Sequence, residues 1–224
     1  METRDKRFLL AGPEARVLES IAKRLPGRVK PDHLTALGVL ASIGIAAAYV
    51  LSNGDSAWLW AASALLVVHW LGDSLDGTLA RVRRIERAKY GYYLDHLVDA
   101  IATALIGIGL GLSPYMLLAT GLAIVIAYLV LSINTYLETS VFGVFELGFG
   151  RVGPPEARLA LIAINVALFA GAPLAFHIEG IGVTVLDVVV WVIAGGMLAG
   201  LAVRATRNLR KLAAAEPPAT PRPA

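Results

Sequence analysis

The chain has 224 residues, of which 57% are hydrophobic and 17% charged, with a formal net charge of +3. That composition is too apolar for an ordinary soluble domain and is long enough for about six membrane spans of roughly 20 residues. Cysteine is absent, which excludes disulfides and thiolate metal sites.

The first 20 residues lack the apolar core expected of a cleavable signal peptide. Residues 12–28 are amphipathic. Val17, Leu18, Ile21 and Leu25 form an apolar stripe, with Arg16, Glu19, Lys23 and Arg24 around it. The pattern predicts a helix lying on the membrane surface, the alternative being a soluble helix packed on loops. Six apolar segments follow, at about 33–52, 57–81, 91–112, 114–137, 156–176 and 182–204. The fold expected is therefore an all-α integral membrane protein of six transmembrane helices preceded by an amphipathic surface helix. Residues 1–30 form the N-terminal segment, 31–207 the membrane domain and 208–224 a Pro- and Ala-rich tail expected to be disordered. No internal repeat is visible.

With six spans, all 20 Lys and Arg residues fall on the side of the two termini or at its helix ends. The three opposite loops contain none. The positive-inside rule then makes both termini cytoplasmic.

Four acids stand out within this frame. Asp73 and Asp76 are spaced i, i+3 near the cytoplasmic end of the second span, and Asp95 and Asp99 i, i+4 near the start of the third. Each pair shares one helix face. A carboxylate in a bilayer costs roughly 2.5–3.5 kcal/mol on insertion scales. Four converging carboxylates repel unless a cation lies between them, and hard divalent ions suit clustered oxygen ligands. His69 and His96 lie beside these acids. His69 reads first as a packing or hydrogen-bonding residue, and His96 sits on a different helical face from the aspartates.

Read with its spacers, the segment is Asp73-x2-Asp76-Gly77-x2-Ala80-Arg81-x9-Gly91-x3-Asp95-x3-Asp99. It resembles the signature of the CDP-alcohol phosphotransferase family, integral membrane enzymes of phospholipid synthesis. The Arg81–Gly91 spacer is one residue longer than the commonest form and falls in a loop, where an insertion is tolerated. The resemblance implies transfer of a substituted phosphate, with release of CMP, from a CDP-linked lipid donor to an alcohol. It also implies two divalent cations, Mg2+ or Mn2+, bound by Asp73, Asp76 and Asp95, with Asp99 as general base and further metal contact. Gly77 and Ala80 would admit the cytosine ring, unless their smallness serves helix packing. Arg81 would pair with a phosphate.

Lys30-Pro31-Asp32-His33-Leu34-Thr35-Ala36-Leu37-Gly38 is similar to a Pro-Asn-x-Leu-Thr-x-x-Gly element preceding the first span in many members, with Asp32 replacing Asn. Asp32 and Thr35 are thus candidate donor contacts, Asp32 being alternatively an N-cap. Gly153-Pro154-Pro155-Glu156 is similar to a Gly-Pro-Thr-Glu element of choline and ethanolamine phosphotransferases, with Pro155 in place of Thr. Glu138 and Glu156 are candidate contacts for a cationic acceptor, Arg151 and Arg158 for an anionic one. The preferred pair is CDP-diacylglycerol with a small polar alcohol; the alternative is a CDP-amino alcohol with diacylglycerol. A divalent-cation transporter and a non-catalytic scaffold are the competing classes. Clustered acids suit ion passage, but the outward half offers only Asp55, Glu179 and Asp187. Family resemblance also implies a homodimer among membrane lipids, without nucleic acid.

Overall fold

The computed structural model describes residues 11–143, 154–171, 175–178 and 181–217. Among these, seven helices run in chain order: α1 (Ala11–Arg24), α2 (Pro31–Leu51), α3 (Trp58–Arg83), α4 (Ala88–Gly111), α5 (Leu118–Phe142), α6 (Pro154–Phe169) and α7 (Val185–Ala215). α3 packs against α1, α2 and α6. α4 packs against α2 and α5, and α5 against α7. The chain is predominantly helical, as expected.

Four helices are long and apolar enough to cross a membrane: α2, α4, α5 and α7. Six were expected. α3 has the length, at 26 residues, but carries Asp73, Asp76, Arg81 and Arg83. α6 has 16 residues, about 24 Å, against a hydrocarbon core of roughly 30 Å. The chain after α6 pairs as a short antiparallel hairpin, β1 (Ala175–Ile178) with β2 (Ile181–Thr184), where the ends of two spans were expected. α7 begins only at Val185. Thr184 Oγ1 accepts from the Asp187 N–H (3.1 Å), and the Asp187 carboxylate accepts from the Thr184 N–H (2.9 Å), a capping box. At its far end α7 continues to Ala215, into the tail expected to be disordered.

Two apolar clusters organise the interior. Ile45, Ala48, Tyr49, Leu59, Leu66 and Leu110 belong to the one distant from the acids. Within it, the Tyr49 hydroxyl donates to Asn165 Oδ1 (3.0 Å) and Asn165 Nδ2 donates to Ser63 Oγ (3.1 Å), so one satisfied polar chain ties α2, α3 and α6. The second cluster joins Leu18 and Ala22 of α1 to Leu34, Leu75 and Leu79. Leu18, central in the amphipathic stripe, is fully buried, while Val17 is exposed. The stripe of α1 is thus largely turned onto α3 and α2. Glu14 fixes this docking by accepting from Trp70 Nε1 (2.8 Å) and Ser74 Oγ (3.3 Å). Apolar side chains elsewhere face outward, among them Leu40, Tyr93 and Val192, as a lipid-facing bundle requires.

α2 and α3 meet backbone to backbone. A Cβ on Gly72 would lie 2.7 Å from the Gly38 nitrogen and 2.7 Å from the Leu34 carbonyl oxygen. Glycine is required here for close approach. Beyond α3, Arg84 adopts the left-handed conformation (φ 56°), and the Ile85 N–H reaches back to the Ala80 carbonyl (3.0 Å). This Schellman-type ending reverses the chain into α4. Arg83 donates to the carbonyls of Val29, Leu25 (3.0 Å) and Pro26 (2.9 Å), pinning the α1–α2 linker to the end of α3.

Gly72→Ala is expected to force α2 and α3 apart and to cost about 1–3 kcal/mol of stability. Gly195→Ala meets open space and removes a helix-interior glycine. Thermal unfolding in detergent should show a lower Tm for the first variant and no loss for the second.

Candidate active site

The site is assembled from the ends of α2, α3, α4 and α6. On α3, Asp73 and Asp76 lie one turn apart. Asp76 has both oxygens engaged: Thr35 Oγ1 of α2 donates to Oδ2 (2.6 Å), and the Gly77 N–H donates to Oδ1 (2.5 Å). Thr35 is buried, so the Gly38–Gly72 contact one turn away decides whether this bond forms. On α4, Asp95 and Asp99 face the same region. Asp99 meets Asp73 side chain to side chain and is within electrostatic reach of Asp95, while Asp73 is in turn within reach of Asp76. The structure thus brings the four acids near one another in succession, Asp76 beside Asp73, Asp73 beside Asp99 and Asp99 beside Asp95.

Arg158 of α6 enters this group. Its Nη2 donates to Asp73 Oδ2 at 2.5 Å, with both side chains about one-sixth exposed. Arg158 lies two turns before Asn165 on α6 and shares its face. The buried Asn165–Ser63 bond therefore fixes the helix rotation that aims Arg158 at Asp73. Arginine suits this position because its guanidinium remains charged in a partly desolvated site.

Asp95, His96 and Asp99 offer ligand atoms that all lie within 4.8 Å of one another. His96 Nδ1 is 3.7 Å from Asp95 Oδ2, and its ring packs edge-on to Tyr92 (4.3 Å between centroids) and near Tyr136 (5.3 Å). The two carboxylates of Asp95 and Asp99 with the His96 imidazole fit a divalent cation. The sequence reading set His96 apart on another helical face. The structure turns its ring back toward Asp95, which helical spacing alone does not reveal. His69 is buried one turn before Asp73, and its Nδ1 has no hydrogen-bond partner among the described residues.

Gly77 is not a helix-packing glycine. Among the described residues, a Cβ there would meet the Arg81 side chain, with Nη1 at 3.3 Å. Arg81 folds back over this surface and donates to Thr78 Oγ1 (3.0 Å). Gly91 opens onto free space.

The remaining candidates are placed differently. Asp32 lies in the first turn of α2 but does not cap it. Lys30 holds the cap position, its N–H directed at His33 Nδ1 (3.3 Å), and Asp32 pairs with Arg87. Glu138 is buried and committed to the α5–α7 contact. It accepts from Asn134 Nδ2 (2.9 Å), Arg204 Nε (2.7 Å), Arg204 Nη2 and Asn208 Nδ2. Glu156 sits in the first turn of α6, where it complements the helix dipole. Arg151 and Gly153 lie outside the described residues. Sequence reasoning missed Glu14, Gly72, Arg204 and Asn208. Only Gly72 left a signal, a small residue directly before the first aspartate.

The acids and a candidate cation site lie together among helices of which four are long and apolar enough to cross a membrane. The family model for CDP-alcohol phosphatidyltransferase matches residues 28–195, and the chain belongs to that family. The family consists of phosphotransferases of phospholipid synthesis that use divalent cations, a CDP-alcohol donor and an alcohol acceptor. None of the curated proteins matches the chain significantly.

Arg158→Ala removes the guanidinium from Asp73 and leaves the acids uncompensated. Stability in chelator is expected to fall by about 1–3 kcal/mol, below the 3–5 kcal/mol of a fully buried pair because both side chains retain some exposure. Mg2+ should raise the Tm of this variant more than that of the unaltered protein, which differential scanning fluorimetry will read.

Proposed function

We propose that the chain transfers a phosphatidyl group from CDP-diacylglycerol to the hydroxyl of a small polar alcohol, releasing CMP. The observation that carries this reading is the approach of Asp73 and Asp76 on α3 to Asp95 and Asp99 on α4. Those four carboxylates would hold two divalent cations, Mg2+ or Mn2+, which neutralise the donor pyrophosphate and stabilise charge on the entering and leaving oxygens.

The chain's own residues have distinct tasks. Thr35 orients Asp76, and Arg158 holds Asp73 in place. Arg81, already poised over Gly77, pairs with a donor phosphate. The open surface at Gly77 and Ala80 receives the cytosine ring. Asp99 accepts the proton of the acceptor hydroxyl. The acceptor oxygen forms a bond to the phosphorus that carries diacylglycerol; the bond from that phosphorus to the bridging oxygen breaks, and CMP leaves with the electron pair.

On a six-span layout the charge distribution supports a cytoplasmic site with both termini on that side, because every Lys and Arg then falls there or at its helix ends. Family resemblance supports a homodimer. Two observations favour this donor over a CDP-amino alcohol. Glu138, one of two acids suited to a cationic group, is already paired with Arg204, and Arg158 adds positive charge beside Asp73. A transporter is disfavoured because Asp187, one of few outward acids, is buried and occupied by the N–H groups of Thr184 and Leu117.

Asp73→Asn, Asp76→Asn and Asp95→Asn are each expected to abolish CMP release while preserving membrane insertion, and chelation should do the same to the intact protein. Asp99→Asn should lower the single-turnover rate by about 10²–10⁴ with donor affinity largely kept. A parallel loss of donor affinity would make Asp99 chiefly a metal ligand, and full turnover of the first three variants in chelator would sink the metal assignment. The assay is a panel of CDP-linked donors and alcohols read by CMP release.

Gly77→Leu is expected to weaken donor binding without lowering Tm, since among the described residues a Cβ there meets the far end of the Arg81 side chain rather than backbone. Isothermal titration with CDP measures this directly.

A further inference from the structure

Asp32 poses an electrostatic problem for the proposed reaction. It lies three residues before Thr35 on α2, so the two share a face and are about 4.5 Å apart along the axis. Thr35 Oγ1 is bonded to Asp76 at 2.6 Å. A carboxylate thus stands about one helical turn from Thr35 toward the N-terminal end of α2, which on the proposed cytoplasmic orientation is the side from which an anionic nucleotide donor would reach the acids. Unpaired, it would repel that donor.

The structure supplies a counter-charge. Arg87, at the start of α4, places Nη2 2.5 Å from Asp32 Oδ1 and 2.7 Å from Oδ2. Its guanidinium also lies 3.8 Å from the centroid of the Tyr90 ring. The loop carrying Arg87 is fixed at its other end by Arg84 and by the Arg83 bonds to the α1–α2 linker. Asp32 and Arg87 are each about half exposed, so the pair adds little to folding stability. Its effect on a passing anion is larger, because it changes the net charge on that side by one unit.

We propose that Arg87 is a positioning residue for the donor: by neutralising Asp32 it lets this chain carry an acid at the entrance of an anion-binding site. The inference rests on the reading of the site as one for a CDP-linked donor. It predicts a sign pattern that a structural salt bridge cannot produce. Losing Arg87 alone exposes the acid and weakens nucleotide binding. Losing both charges restores neutrality, and with it binding, although the salt bridge is gone. Losing Asp32 alone leaves an unopposed cation and tightens binding.

The experiment titrates the purified full-length protein, in detergent with Mg2+, with CDP, and measures Tm and the KM for CDP-diacylglycerol in parallel. Arg87→Ala should weaken CDP binding about tenfold at low salt, equivalent to about 1.4 kcal/mol, with Tm unchanged. Arg87→Lys should retain affinity. The Asp32→Asn/Arg87→Ala double variant should return to within about twofold of the unaltered protein, and Asp32→Asn alone should bind more tightly. The Arg87→Ala defect should shrink near 1 M salt, where the Debye length is about 3 Å. Unchanged affinity in Arg87→Ala, no recovery in the double variant, or a defect in Arg87→Lys equal to that of Arg87→Ala would each overturn the proposal while the functional reading stands. An unaltered protein that neither binds CDP nor releases CMP from any donor would overturn both.

Discussion

The approach of α2 to α3 at Gly38 and Gly72 is the constraint on which the site depends. With no side chain between the two backbones, Leu34 packs onto Leu75 and Leu79, and Thr35 comes within hydrogen-bonding distance of Asp76. The same apolar cluster receives Leu18 and Ala22, so α1 docks on a surface that the glycine contact creates. In a lipid environment apolar burial contributes little between helices. Close packing of small residues and interhelical hydrogen bonds must do the holding instead. The glycine contact supplies the first, and the bonds of Thr35, Glu14 and Asn165 supply the second.

The second constraint is charge. Acids gathered at one end of an apolar bundle are tolerated only where cations are supplied from outside their own helices. Arg158 comes from α6 and Arg87 from the α3–α4 loop, each reaching a different acid. A third pair, Glu138 with Arg204, joins α5 to α7 and has both side chains mostly buried. Pairs of this kind are costly to break from one side and specify which helices are neighbours. Arginine serves in all three, as expected of a side chain that keeps its charge and offers several donors in a fixed plane.

Much of the architecture was legible along the chain. Apolar runs located the helices, and the spacing of Asp73, Asp76, Asp95 and Asp99 singled out four acids that the fold brings near one another. Where the reading went astray, length and pairing were at fault. The span ends expected at 175–176 and 182–184 pair instead in the two strands of a hairpin, since a short apolar stretch without clear periodicity does not distinguish strand from helix. α6 is correspondingly shorter, and α7 starts later, where Thr184 and Asp187 cap it.

The sequence by itself determined what is encoded by short-range spacing: which residues share a helix face, where charge is concentrated, and that four acids in an apolar chain require cations. Helical periodicity and the cost of burying charge are local properties, readable one segment at a time. The tertiary structure alone decided the partners. That Arg158 meets Asp73, that Arg87 meets Asp32, that Glu138 belongs to Arg204, and that Gly72 faces Gly38 all depend on helix rotation and neighbour choice. Those are set by contacts between residues dozens of positions apart, and no local pattern in one segment carries that information.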